Sequence, residues 1–279
     1  MPFTLIASTN HIGGAMLIIG ERINTSRREI ADATKARNTE VLLSEAMRQV
    51  EAGAHFLDVN AGTYAEAEGA YLRWIVETIR AKVDAPLCVD STDPHVIADA
   101  LQISGKGTMI NSITAEKETY HAMLPLVQEY QCKVIALCLD DRGIPAELDD
   151  KLKVGFGLVD ALLSDGIPAG DIYVDPLIMA VSTDQRSGAI ALRVIREIRN
   201  RYPGVHAICG LSNVSFGLPA RKLLNRVFLV AAMTSGLDAV IIDPLDKPLM
   251  ANLIAANTLL GNDEMCMEYI RAYRRGKLQ

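Results

Sequence analysis

Aromatic residues are scarce in this chain, 5% of 279 residues with a single Trp, and several other residue types are missing where chemistry would need them. There are five histidines, and no two have the spacing of a zinc-ligand pair, which argues against a histidine-bound catalytic metal. The five cysteines Cys88, Cys132, Cys138, Cys209 and Cys266 form no C-x-x-C pair, and their number is odd. Free, mostly buried thiols in a reducing compartment account for them, so a cytoplasmic protein is expected. No nucleophile elbow, P-loop or dinucleotide fingerprint occurs. The apolar run over 12–20 is too short to span a bilayer and lacks a basic lead, so no membrane segment is expected. Basic residues are outnumbered, giving a net charge of -6, which argues against a general nucleic-acid surface.

Hydrophobic residues make up 49% of the chain, and Ala, Val, Ile and Leu dominate them. Such a composition suits buried parallel strands with helices packed on both sides. Strand-like segments lie at 17–20, 55–59, 86–89, 107–110, 133–139, 171–174, 205–209 and 238–242. Helix-like segments intervene near 38–52, 67–82, 95–104, 116–130, 151–164, 187–200 and 220–235, with a last helical region over 247–275. Alternation alone also fits an open doubly wound sheet. The count, length and even spacing favour a (β/α)8 TIM barrel, α/β in class, as a single domain over 1–279 with residues 1–16 as a lead-in or bottom cap. The charged stretch Asp149 to Lys153 reads as a solvated helix start, and Arg271 to Lys277 as an exposed helix end.

The first polar residue after each strand is Glu21, Asp58 (with Asn60), Asp90, Asn111, Asp140, Asp175, Asn213 or Asp243. All are acids or amides, and in a barrel they rim the C-terminal mouth, where such enzymes keep their sites. So many cannot be buried without partners; they pair with one another, with water, or with a ligand rich in N–H donors. No Lys stands at a strand's C-terminal end, which disfavours a Schiff-base aldolase. Each residue alone also has a plainer role. Asp90 can cap the next helix, although Thr92 or Asp93 can do so and leave Asp90 free. Asp175 before Pro176 suits an ordinary turn, and Asn213 an Asx-turn.

Six ordered motifs raise the pattern above these alternatives. They are Gly20-Glu21-Arg22-Ile23-Asn24, Leu57-Asp58-Val59-Asn60, Cys88-Val89-Asp90-Ser91-Thr92, Met109-Ile110-Asn111-Ser112, Tyr173-Val174-Asp175-Pro176-Leu177 and Gly210-Leu211-Ser212-Asn213-Val214-Ser215. With them, from about residue 16 onward, the chain resembles the pterin-binding methyltransferases that move a methyl group between methyltetrahydrofolate and a corrinoid. The resemblance implies that Asp90, Asn111 and Asp175 hold the pterin ring, with Glu21, Asp58, Asn60 and Ser212 also in the substrate site. It implies that Asn213 faces N5 as the catalytic residue, and that Phe216, Arg221 and Asp243 stand at the mouth, Arg221 toward the folate's glutamate tail. Tetrahydrofolate or methyltetrahydrofolate is then the substrate, and cobalamin is carried by a separate corrinoid protein. A homodimer is expected on the same grounds. Phe216 stands where the methyltransferase of the corrinoid/iron-sulfur protein has Gln, so a second amide beside the pterin is in doubt. Two alternatives stay open: a dihydropteroate synthase, disfavoured because Ser212-Asn213-Val214 lacks that enzyme's basic pair, and a folate-binding barrel without catalysis.

Overall fold

The computed structural model describes residues 16–278. The proposed lead-in therefore lies outside the described residues, apart from Met16, which is buried. In chain order the elements are β1 (Leu17–Asn24), α1 (Arg28–Lys35), α2 (Thr39–Ala52), β2 (Phe56–Asn60), α3 (Glu68–Arg80), β3 (Leu87–Asp90), α4 (Pro94–Ser104), β4 (Met109–Ala115) and α5 (Lys117–Tyr130). They continue with β5 (Lys133–Asp140), α6 (Leu148–Ser164), β6 (Ile172–Asp175), α7 (Ser187–Arg201), β7 (His206–Ala207), α8 (Arg221–Thr234), β8 (Ala239–Ile242), α9 (Lys247–Leu259) and α10 (Met267–Arg274). The eight strands pair in parallel, in the order β7-β6-β5-β4-β3-β2-β1-β8. The ends of that sheet meet as well: Gly210 bridges Ile241, and the Ile241 N–H donates to the Cys209 carbonyl at 3.0 Å. The result is a (β/α)8 barrel.

Side-chain alternation along the strands sorts the residues into shells. Leu17, Ile19, Phe56, Cys88, Met109, Ile135, Tyr173, Ile208 and Ala239 pack together inside the barrel. Their out-of-phase neighbours, such as Ile18, Leu57, Val89, Ile110, Val134 and Val174, pack against the helices. Two residues beyond the inner shell, in the same phase, come Glu21, Asp58, Asp90, Asn111 and Asp175. The barrel is plugged below with apolar side chains and ends above in polar ones.

Strands β1 and β4 run on past their expected ends to Asn24 and Ala115, and the expectations differ from the structure in three further places. Helix α1 has no counterpart among them; it is one short amphipathic stretch burying Ile30, Ala33 and Thr34. The last helical region is two helices, broken at Met265 and Cys266, both in the left-handed region at φ 52° and 58°. The third concerns Asp149 to Lys153. Its Lys151 is 4% exposed rather than solvated, because α6 lies tight against β5. A Cβ at Gly155 would stand 2.9 Å from Cys138 Sγ, so only glycine permits this approach.

Candidate active site

The C-terminal mouth holds a cavity of about 780 Å³. Glu21, Asp58, Asp90, Asn111, Asp175, Ser212, Asn213, Arg221 and Asp243 line it. Three expected positions do not. Asn60 stands behind Asp90, donating its amide Nδ2 to the Asp90 carbonyl at 3.3 Å. Phe216 lies outward, 67% exposed, under the Arg221 guanidinium. Asp140 is three residues past Leu137, which lines the cavity, so alternation turns it away; it is paired with Arg142 at 2.7 Å beside a different cavity.

Strand register sets the floor. Asn60 pairs with Asp90 and Asp90 with Asn111 across adjacent strands. Asn111 Nδ2 donates to Asp58 Oδ1 at 3.3 Å. Asp90 is free to face the cavity because Asp93 caps α4, accepting from the His95 N–H at 2.8 Å. Opposite, Asp175 accepts from the Leu177 N–H at 2.7 Å and the Gly210 N–H at 3.4 Å. These contacts leave acceptor positions on each carboxylate for a ligand.

Burial dominates the acidity of this floor. It drives the Asp58 carboxyl well above the usual range, the Asp90 charge adds to the effect, and the Asn111 amide opposes it. Burial lifts Asp90 to about 6, against the Asn60 amide. Asp175 is also lifted to about 6 by burial, opposed by the two N–H groups and by Lys151. Glu21 reaches about 7 through burial and the Asp243 charge, despite Arg27, Arg221 and Arg22 nearby. Burial therefore strains the charged form of these carboxylates. A ligand offering paired N–H donors relieves that strain.

Asn213 comes from no strand. It sits in a 3₁₀ turn, Leu211–Ser215, that follows the closing edge of the barrel. Its side chain folds back over Gly210, where a Cβ would lie 3.2 Å from Asn213 Nδ2. Arg221 fixes the turn, donating to the Ser212 carbonyl at 2.7 Å and to Ser215 Oγ at 3.1 Å. The Arg221 guanidinium is thus engaged in supporting the turn that carries Asn213.

Several functional-site residues lack any assignment from sequence. Arg22 donates to Glu45 and, at 2.7 Å, to Asp243, anchoring that carboxylate. Arg22 stands inside the first motif, and its neighbourhood was the available signal. Asn24, Arg27, Lys222 and Asn225 also line the cavity. Loops and helix starts supply most of them, beyond the reach of the rule that reads strand ends. Among the described residues no group of His, Cys, Asp and Glu is arranged to hold a metal ion.

A barrel closed around an acid- and amide-lined mouth defines the class. The sequence pattern of the pterin binding enzyme family matches residues 20–243, and the chain belongs to that family. It is 34% identical over 265 residues to the methylcorrinoid:tetrahydrofolate methyltransferase of Eubacterium limosum, covering 94% of this chain and 98% of that protein. It is 30% identical to the methionine synthase of Mycobacterium tuberculosis over 82% of this chain, a match that takes in only 20% of the synthase. Among solved structures, dihydropteroate synthase from Clostridium difficile superposes with a TM-score of 0.71 at 17% identity, covering 88% of this chain and 97% of that one. The Xanthomonas albilineans dihydropteroate synthase does so at 0.66 and 18%, covering 90% and 93%. At such identities these structures bear on the fold alone.

Proposed function

We propose that this protein is a methyltransferase moving a methyl group between N5 of tetrahydrofolate and the cobalt of a corrinoid carried by a separate protein. The near full-length match to a methylcorrinoid:tetrahydrofolate methyltransferase carries the proposal. The mouth fits it chemically. The pyrimidine edge of a pterin presents a ring N–H beside an amino group, and a carboxylate accepts both. Asp90 and Asp175, raised to about 6 by burial, gain from that contact hydrogen-bond donors that favour their charged forms. Asn111, an amide, complements the mixed donor and acceptor part of the ring. Asp58, beneath Asn111, fixes which way that amide points.

Asn213 faces N5 in this proposal. An N5 amine leaves poorly until it is protonated and so positively charged; in the reverse direction N5 gains positive charge as it takes the methyl and then gives up its proton. A hydrogen bond that strengthens with the charge favours the transition state over the ground state, in either direction. When docked, the partner's corrinoid supplies the cobalt that gives or takes the methyl. The chain itself binds, orients and stabilises, so it needs no nucleophile of its own.

The chain as one catalytic domain, a homodimer and a cytoplasmic location belong to the same proposal. Leu223 and Val227 on α8, each 61% exposed, offer an apolar face to a second copy. Four buried free thiols suit a reducing compartment. No described helix is long and apolar enough to cross a membrane. The test is anaerobic incubation with methylcobalamin and tetrahydrofolate, adding corrinoid proteins where the free cofactor fails. Methyltetrahydrofolate identified by mass is expected. Its absence with every methylcorrinoid donor, despite folate binding, would leave a pterin-binding barrel with another task.

A further inference from the structure

Strand β6 ends on Asp175, and the chain then turns through Leu177, which has φ 50°. The left-handed region is unfavourable for a residue with a Cβ, so the turn must be held. Lys151, on α6, holds it. The side chain is buried, and its ammonium donates to the Pro176 carbonyl at 2.7 Å and the Leu177 carbonyl at 3.0 Å. The Leu177 N–H then donates to Asp175 Oδ1 at 2.7 Å. Ammonium, turn and carboxylate make one chain of contacts that ends in the mouth.

Burying an ammonium is costly, and two carbonyl acceptors alone do not require a full charge. The charge has a second target. Three groups bear on Asp175: Lys151 from α6, Cys138 from β5 and Cys209 after β7. Burial pushes both thiols far above neutrality, so they stay uncharged. Lys151 is the cation among the three, and it favours the ionised carboxylate.

We propose that Lys151 is a positioning residue for the pterin site, holding the Pro176–Leu177 turn and, through it, aiming the Asp175 carboxylate at the ligand. The proposal rests on the mouth binding a reduced pterin. Removing the ammonium moves the Asp175 carboxyl further above about 6, where burial already holds it. Folate binding needs the carboxylate, so its loss on acidification then begins at higher pH.

The test is anaerobic equilibrium dialysis of tetrahydrofolate against the full chain, between about pH 5 and about pH 8. Lys151→Met should bind roughly tenfold or more weakly at neutral pH, with the acid limb of binding moved upward. Lys151→Arg, which keeps the charge, should return that limb toward the wild-type position. In an Asp175→Asn background Lys151→Met should add little, because the two act in series. If Lys151→Met fails to fold, Lys151→Gln, neutral but still a donor, should show the same displaced limb. Wild-type affinity with an unmoved limb in the neutral variant, or an equal loss in the Asp175→Asn background, overturns the proposal. Wild-type protein that binds no tetrahydrofolate overturns the pterin assignment itself, and the role of Lys151 with it.

Discussion

Asp175 and Asn213 face the same cavity, and the proposed function gives them different tasks. Asp175 is 7% exposed and is oriented by backbone N–H groups on two sides. In the proposed function it binds the ground state. Replacing it with Ala should weaken tetrahydrofolate binding by about 1.5–3 kcal/mol, the range for a hydrogen bond to an ionised group. Titration calorimetry under anaerobic conditions measures this directly, and unchanged affinity would remove Asp175 from the pterin contact. The strand-end acids were legible because period-two alternation projects onto the sequence: Glu21, Asp58, Asp90 and Asp175 each stand two residues after an inward apolar one. The same rule, applied with its phase, excludes Asp140. Lys151 was not legible, because its burial depends on how closely α6 approaches β5 at Gly155. No periodicity in α6 alone encodes that contact.

At the scale of elements, an ion-pair network joins β1, α2 and the end of β8 beside the mouth. Arg22 on β1 reaches Glu45 on α2 and Asp243 after β8, with side chains 12%, 4% and 28% exposed. Arg48 adds a second, more exposed contact to Glu45. Removing Arg22 would leave Glu45 buried with a weakened partner. Arg22→Ala should therefore destabilise the fold by about 3 kcal/mol or somewhat more, as for a broken buried pair. Urea unfolding measures the loss, and a change below about 0.5 kcal/mol, the usual effect of a surface substitution, would contradict the assignment. The eight strands were predictable from apolar runs bounded by turns. Helix α1 was not, since two turns with three buried residues give too short a period to recognise. The turn carrying Asn213 was visible as a motif, but its support by Arg221 joins residues that no local pattern links.

The whole molecule is a buried apolar plug beneath a mouth whose acids are raised by burial. That asymmetry has a measurable consequence. Glu21, Asp90 and Asp175 have folded-state values of about 7, 6 and 6, above their ordinary values of 4.5, 3.8 and 3.8. Between these limits the folded protein holds protons that the unfolded chain has released, so stability falls as pH rises through the window. Asp140 and Asp246, held below their usual range mainly by arginines, work in the opposite sense, and only at lower pH. Ligand-free protein should therefore melt at a higher temperature near pH 5.5 than near pH 8, within the range set by these groups. Bound tetrahydrofolate should reduce the difference. A thermal scan series with and without folate checks it, and a melting point that rises with pH across the window would contradict the raised carboxyls. The most direct test of the account compares wild type with Asn213→Ala in two quantities: tetrahydrofolate affinity, and the single-turnover rate of methyl transfer with a corrinoid protein. The account predicts affinity preserved within several-fold and a rate lower by on the order of 10²-fold or more. Equal losses in both would make Asn213 a binding residue, and an unchanged rate would remove it from the transition state altogether.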